Sequence, residues 1–302
     1  MDGKGGTVLK RKWLVTRFFL LAFAATIAVF LIPSVVMLPK NQSKPADAGA
    51  SGVPIVSGSV GSSAVEAGEE DRFTLLYVST DADSLPLSFS LLRFCPDSAE
   101  IRLATLPGTW FYYGEDGPIT LSDAYRRGGA AACGKVLENQ LQIPVDRYLT
   151  ASAETEWELL ETLGAAWVTL PSPVSYSSDM LSLQLPEGEQ LLDAMGFYAA
   201  FHSQESPVAQ SELLKALLEQ NSKGLFSDRL EQLFQIAVNR GTTNLNRLDF
   251  EDLSPALGNL DGTCTVRVVS AQSMQIQSGE ALSMKSMQEL HENFAFAQRQ
   301  AG

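Results

Sequence analysis

The chain has little of several residue types on which common chemistries depend. Its 302 residues include two histidines and three cysteines. The sequence contains no CxxC pair and no His–Cys cluster, so it gives no support for a metal site. It also lacks Ser-His-Asp, GxSxG and P-loop patterns, which leaves hydrolase and nucleotide-binding chemistry without support.

The three cysteines leave two hypotheses open. Cys95, Cys133 and Cys264 are odd in number, so at most one internal disulfide forms and one thiol stays unpaired. Alternatively, all three are small buried hydrophobic residues. The sequence does not decide between these hypotheses.

Positive charge is scarce. The net charge is −13, of which residues 1–17 carry +4 and the remainder −17. Only 15 Lys and Arg residues follow residue 70. Such an acidic domain argues against nucleic acid as a partner, and it could bind a polyanion only where its few cations converge.

One long uncharged stretch, residues 18–38, predicts a transmembrane signal-anchor. At about 1.5 Å per residue its length matches a hydrocarbon core of roughly 30 Å. Five basic residues precede it, which predicts a cytoplasmic tail over residues 1–17 and an extracytoplasmic remainder at the cell membrane. A buried core helix is usually shorter, and the best signal-peptide cleavage site, at residues 46–48, lies well past the apolar run.

The remainder divides into a linker and one domain. Residues 39–70 are rich in Gly, Ser, Ala and Pro, which predicts a flexible extracytoplasmic linker. Residues 71–302 have the size of a single α/β domain. No internal repeat is apparent.

Hydrophobic patterning predicts the elements of this domain. Strands at 73–80, 88–95 and 100–106 would form a meander at one side of a sheet, and the chain would then alternate between helices and strands. This order implies a largely parallel sheet with helices on both faces, so we expect a three-layer α/β/α domain with a mixed central sheet. The remaining predicted helices lie at 130–141, 154–163, 189–201, 210–221, 226–240, 250–257 and 283–300, and the remaining strands at 147–151, 167–170 and 263–270.

Four consecutive aromatic residues stand in a predicted loop after the third strand. Trp110, Phe111, Tyr112 and Tyr113 could fold back onto the domain core. They could instead form the apolar lip of a ligand pocket, which makes them candidate ligand-binding residues.

Several segments, in order, resemble the LytR-CpsA-Psr family. Residues 141–149, LQIPVDRYL, resemble that family's IPIDYYV segment, and residues 160–171, LETLGAAWVTLP, resemble its VDALGGVDVDVP segment. Weaker similarities cover roughly residues 72–300 and occur at 76–82, 105–107, 121–129, 188–190, 210–218 and 243–245. A single domain behind one N-terminal anchor is also the architecture of that family.

The resemblance implies an activity. Members of the family transfer glycopolymers from a polyprenyl diphosphate to peptidoglycan, bind the diphosphate through several arginines, and use Mg²⁺ held by aspartates. Planar guanidinium groups and a divalent cation suit a diphosphate because both neutralise its charge.

This sequence departs from the family pattern at most of those positions. Expected arginines fall on Asp83, His202, Gln204 and Ala209, while Gln210 is kept as a candidate ligand-binding residue. Further expected Arg and Asp residues fall on leucine, glycine and threonine, at residues 85–88 and 108–109. The family's Mg²⁺ is therefore not expected here.

Four residues are candidates for residual chemistry. Asp81 alone remains of the metal-binding carboxylates, although a lone aspartate in a loop often only forms a turn. Arg126 and Arg127 precede Gly128–Gly129, where a helix start could bind an anion, or they are simply solvated. His202 could touch a phosphate or be a partly exposed helix residue.

We therefore expect a membrane-anchored LytR-CpsA-Psr-like protein of cell-envelope assembly that binds rather than catalyses. Its ligand would be a polyprenyl-linked glycan, or peptidoglycan or another partner at the wall. One alternative is an active phosphotransferase, so whether the chain is an enzyme stays open. Another alternative is a structural or regulatory ectodomain that binds a protein.

Overall fold

The computed structural model describes residues 67–114, 117–178 and 180–295. Its strands are β1 Phe73–Thr80, β2 Pro86–Cys95, β3 Glu100–Leu106, β4 Phe111–Gly114, β5 Gly117–Thr120, β6 Arg147–Ser152, β7 Ala166–Leu170, β8 Val174–Ser177, β9 Ser182–Leu185, β10 Gly188–Leu192, β11 Thr242–Thr243, β12 Thr265–Val268, β13 Ser273–Ile276 and β14 Gly279–Leu282. Its α-helices are α1 Leu121–Leu141, α2 Ala153–Leu163, α3 Ala194–His202, α4 Pro207–Asn221, α5 Leu230–Arg240, α6 Arg247–Leu257 and α7 Met284–Phe294.

A six-stranded sheet with the order β11-β6-β1-β2-β3-β12 organises the domain. The predicted meander β1-β2-β3 is present, but it lies in the middle of the sheet rather than at one side. Strands β6 and β12 join it in parallel and β11 pairs antiparallel with β6. The α/β class with a mixed sheet is confirmed, whereas the expectation of a largely parallel sheet is wrong because β7 leaves the sheet and pairs with β10.

Helices cover both faces of the sheet. In β1, Leu76 and Val78 belong to a core shared with α1 and α7, whereas Leu75 and Tyr77 pack with residues of α2 and α5. This division follows from the alternation of side chains along a strand, which places neighbouring residues on opposite faces. A third core, built around Ile101, Leu103 and Val266, fills the space below α4 and α6.

Two predicted elements differ in the structure. Residues 111–113 are not in a loop, because Phe111–Gly114 forms β4 and pairs with β5 in a hairpin, whereas Trp110 lies in the loop before it. Residues 189–192 are not helical, because Gly188–Leu192 forms β10 against β7. Helix α3 starts only at Ala194, where the side chain of Asp193 accepts a hydrogen bond from the Gly196 N–H at 2.9 Å.

The predicted tail, anchor and most of the linker lie outside the described residues. Within the described ranges, no helix is both long and apolar enough to cross a bilayer. Cys95, Cys133 and Cys264 are buried there as free thiols. Burial raises the pKa of the Cys133 and Cys264 thiols to about 12, which is the behaviour of small hydrophobic residues.

Candidate functional site

One face of the central sheet changes from apolar to polar along β1. At the beginning of the strand Phe73 stacks on Phe94 with ring centroids 4.7 Å apart. Two rows further on, Tyr77 lies opposite Ser90, and the last row pairs Ser79 with Ser88. Ser79 and Ser88 are buried, so the carboxyl end of β1 presents hydroxyl groups to the interior of the protein.

Two helices bring an acid and a histidine onto this polar end. Glu156 lies in the first turn of α2, and its side chain is only 7% exposed. His202 is the last residue of α3, and its side chain is 4% exposed. The His202 Nε2 lies 3.1 Å from the Glu156 Oε2 and 3.4 Å from the Ser79 Oγ. The Ser79 hydroxyl donates a hydrogen bond to the same Glu156 oxygen.

Aromatic rings surround this Glu–His–Ser cluster. The Tyr198 ring centroid lies 4.4 Å from that of His202, and Phe201 contacts the histidine edge-on at 5.0 Å. Trp157 and Tyr176 pack against Tyr198 at 5.6 and 5.7 Å. These rings keep the cluster away from bulk water.

The tyrosines next to Glu156 are difficult to ionise. Burial and the Glu156 carboxylate raise the pKa of Tyr77 well above its usual value. Burial, a hydrogen bond with Tyr176 and the Glu156 carboxylate raise the pKa of Tyr198 as well. Both tyrosines are therefore neutral hydrogen-bonding groups at any physiological pH.

A groove of about 350 Å³ lies between β7 and α4. Its floor is apolar and includes Val168, Leu170 and Leu213. Gln204, two residues after His202, and Ala209 line it as well. Among its lining residues, all within the described part of the chain, there is no Lys, Arg or His.

The predicted catalytic candidates do not come together. The Asp81 Oδ1 accepts hydrogen bonds from the N–H groups of Asp83 and Leu85 at 2.9 and 2.8 Å, so Asp81 forms a turn. Arg126 is exposed and pairs with Asp123 in the first part of α1, and Arg127 is exposed beside it. Among these candidates only His202 joins a buried polar cluster: its imidazole is 4% exposed, although the residue as a whole is only partly buried.

The four aromatic residues predicted to bind a ligand do not form one surface either. Tyr112 is buried in the core next to α1, and Trp110 packs against the same core. Tyr113 is 48% exposed, as expected for alternating residues of a strand, and Phe111 lies opposite Thr120 of β5. None of these four aromatics is among the residues that line the groove.

Gln210 links two helices rather than lining the groove. Its Nε2 donates to the Phe201 carbonyl at 3.3 Å and so holds the beginning of α4 against the end of α3. The contact fixes the corner of the chain that carries both His202 and Gln204.

The Mg²⁺ implied by the family resemblance does not fit the residues present. The Asp81 carboxylate, the one acid kept from the family pattern, is already engaged by two backbone N–H groups. Within residues 67–114, 117–178 and 180–295, no group of three or more His, Cys, Asp or Glu side chains could hold a metal ion.

Sequence reasoning missed Glu156, Ser79 and Trp167. A signal for Glu156 existed, because a helical spacing of three to four residues places it on the face of α2 that also carries Ala153, Leu159 and Leu160. That face is buried, so an acid on it required a partner. Nothing in the sequence identifies that partner as His202.

Solved structures share this fold. A candidate transcription regulator from Eubacterium siraeum superposes with a TM-score of 0.67 over 83% of this chain and 98% of its own, at 15% identity. TagV from Bacillus subtilis gives a TM-score of 0.59 over 74% of this chain and 95% of its own, at 16% identity. TagT bound to LIIa-WTA gives 0.58 over 75% of this chain and 90% of its own, at 17% identity.

TagV and TagT are LytR-CpsA-Psr proteins, so the chain has the LytR-CpsA-Psr fold, as the resemblance predicted. At these identities the likeness concerns the fold alone. No protein-family model and no curated protein matches the sequence.

Proposed function

We propose that the chain is a membrane-anchored, extracytoplasmic module of cell-envelope assembly that binds a polyprenyl-linked glycan without transferring it. The observation that carries this proposal is the groove between β7 and α4, which has an apolar floor and no cationic lining residue. An apolar floor can bury isoprenoid carbon, which contributes roughly 25 cal/mol per Å². Without cations it offers nothing to hold a diphosphate.

The fold gives the proposal its ligand class. Solved structures of TagT contain LI-WTA in one case and LIIa-WTA in another, and the TM-scores to this chain are 0.55 and 0.58. We infer that this chain binds a ligand of related chemistry, a lipid-linked glycan. The extension rests on the shared fold and on the groove.

The charge around the groove argues against catalysis. Where the resemblance expects arginines, the groove carries Gln204 and Ala209, and His202 is bound to Glu156 instead of facing a ligand. The carboxylate of Glu212, which lines the groove, would repel a diphosphate. Each lost charge-assisted hydrogen bond removes about 1.5–3 kcal/mol.

A comparison of two lipids tests the binding. The full chain in detergent should bind a polyprenyl diphosphate no more than about tenfold more tightly than the matching polyprenol, with or without Mg²⁺. Replacing both Gln204 and Ala209 by Arg should strengthen diphosphate binding at least tenfold and leave polyprenol binding unchanged. Ala216→Leu, which fills the floor of the groove, should weaken both.

Two results would reverse the proposal. Tight diphosphate binding that requires Mg²⁺ would favour the alternative of an active phosphotransferase. Failure to bind either lipid, with the fold intact by circular dichroism, would leave a structural or regulatory ectodomain as the better account.

A further inference from the structure

The outer face of the ribbon formed by β7 and β10 carries two large apolar side chains side by side. Trp167 and Leu191 are register partners in this antiparallel pair, and each is 54% exposed. Their strand neighbours Val168 and Leu192 are buried, so the alternation of the strands directs Trp167 and Leu191 to the outside. Trp167 also forms one rim of the groove.

The backbone of Trp167 is held in place from the side of the ribbon opposite β10. The side-chain amide of Gln220, on α4, accepts from the Trp167 N–H at 2.8 Å and donates to the Trp167 carbonyl at 2.7 Å. The amide of the next residue, Asn221, donates to the Ala165 carbonyl at 3.0 Å. An exposed indole on a fixed backbone loses little conformational freedom when a ligand binds.

The groups near the indole suit a neutral, hydroxyl-rich ligand. Thr169 and Gln204 line the groove with a hydroxyl and an amide, and Glu212 adds the one charged side chain among the lining residues. Its carboxylate is 56% exposed and lies 4.0 Å from the Lys215 ammonium. These groups accept and donate hydrogen bonds to hydroxyls, and the acid disfavours anionic ligands.

We propose that Trp167 is the stacking platform of a carbohydrate subsite at the rim of the groove, which takes an uncharged pyranose unit of the glycan. The apolar C–H face of a sugar ring carries a small positive charge and packs on the negative face of an indole. Thr169, Gln204 and Glu212 then bind the ring's hydroxyls, while Leu191 widens the platform. The subsite deepens the proposed function, because it assigns the sugar part of a lipid-linked glycan to one end of the groove.

Soluble oligosaccharides test the subsite separately from the lipid. The full chain in detergent should bind an N-acetylglucosamine or glucose tetramer saturably by calorimetry, with a change in tryptophan fluorescence. Trp167→Ala should weaken binding at least tenfold, and Trp167→Phe should restore most of it. Tyr113→Ala removes an aromatic ring that is 48% exposed on a different sheet, so it serves as the matched control and should change nothing.

Polyprenol binding measured on the same samples separates the two proposals. If the tetramers do not bind and polyprenol does, the subsite is wrong and the proposed function stands. If the tetramers bind through Trp167 and polyprenol does not, the subsite stands and the lipid part fails. Tetramer binding that Trp167→Ala leaves unchanged also overturns the subsite.

Discussion

Glu156 and His202 form a hydrogen bond with each other inside the protein. Both side chains are less than a tenth exposed, and Ser79 adds a hydroxyl to the same carboxylate oxygen. By contrast, the ion pairs Arg247–Glu251 and Arg247–Glu231 lie in solvent. The Glu–His–Ser cluster therefore fixes α2, α3 and β1 relative to one another at the carboxyl end of β1.

Removing the acid should destabilise the domain strongly. Glu156→Ala leaves the His202 ring nitrogen and the Ser79 hydroxyl buried without their shared partner, at a cost of about 1–3 kcal/mol for each. We expect the free energy of unfolding to fall by about 2–5 kcal/mol, measured by urea denaturation.

The exposed pair on α6 provides the control. Glu251 is 54% exposed and pairs with Arg247, so Glu251→Ala should change stability by less than about 1 kcal/mol. Equal effects of the two substitutions would show that the Glu156–His202 contact contributes nothing beyond a surface pair.

At this scale the sequence predicted the position of His202 but not its environment. The resemblance placed His202 where an arginine would stand, at the end of a helix, and the structure agrees on the helix end. Glu156 is one of four glutamates in α2, and the other three lie at least partly in solvent. Which glutamate is buried depends on how the helix is rotated about its axis relative to the sheet. Tertiary packing sets that rotation.

Helix α1 contains a break that separates its two halves. Gly128 and Gly129 have non-helical backbone angles, and Gly129 has φ 65° and ψ −161°. That combination is essentially restricted to glycine, since a Cβ makes it unfavourable. The Gly-Gly pair is also the point where the sequence predicted a helix to start.

Substitution of Gly129 should therefore carry a purely conformational cost. A Cβ at Gly129 would meet nothing within 4 Å, so no clash contributes. Gly129→Ala should lower the free energy of unfolding by about 1–3 kcal/mol. Gly134→Ala, in the helical second half of α1, should be neutral or stabilising by up to about 1 kcal/mol, because its Cβ would lie an ordinary 3.5 Å from Val145. A smaller loss at Gly129 than at Gly134 would contradict this account.

An ion pair joins β6 to the start of α6. The Arg147 Nε donates to the Asp249 Oδ2 at 2.8 Å, and Asp249 also accepts from the Asn246 N–H at 2.9 Å to close a capping box. The hydrogen bond from Arg147 is the main reason that the pKa of Asp249 is lowered.

This lowered pKa predicts how stability depends on pH. The folded protein favours the Asp249 carboxylate, so its contribution is complete above the unfolded pKa of about 3.9 and is lost as the pH falls through the lower folded pKa. Asp249→Asn should be clearly less stable than the parent chain at pH 7, and the difference should shrink below about pH 4. A difference that stays constant down to pH 2 in urea titrations would contradict the assignment.

At the scale of elements, strands were predicted correctly where the hydrophobic pattern of the segment agrees with the strand pairing in the structure. Strands β1 and β3 match their predicted bounds residue for residue. Both are apolar runs with β-branched residues, flanked by turns, and such runs favour strands. Strand β10 was predicted as helix, since Glu189, Gln190, Leu191 and Leu192 favour helices. Pairing with β7 overrides that preference.

The whole molecule is predicted to be a single-pass membrane protein, and its orientation can be tested directly. The basic residues before the apolar stretch predict export of everything after it. Two kinds of reporter are fused after Gly302. One that requires export for activity should be active, and one that works only in the cytoplasm should be silent. The opposite pattern would remove the basis for a role in the cell envelope.

At this scale the sequence predicted the fold but not the groove between β7 and α4. The order of elements and the segments 141–149 and 160–171 were sufficient for the LytR-CpsA-Psr fold. The groove and its Trp167 rim arise from β7 leaving the central sheet, a pairing that local sequence does not encode. A site built from side chains of β7 and α4 becomes visible only when the two elements are placed together.

The most direct test of the central claim, binding without catalysis, is a transfer assay. The full chain, with Mg²⁺, is given a radiolabelled glycopolymer on a polyprenyl diphosphate together with peptidoglycan as acceptor. We predict no label in peptidoglycan above the protein-free control, while the lipid-linked glycan remains bound to the protein. Transfer well above that control, reduced by Gln204→Ala or His202→Ala, would contradict the account.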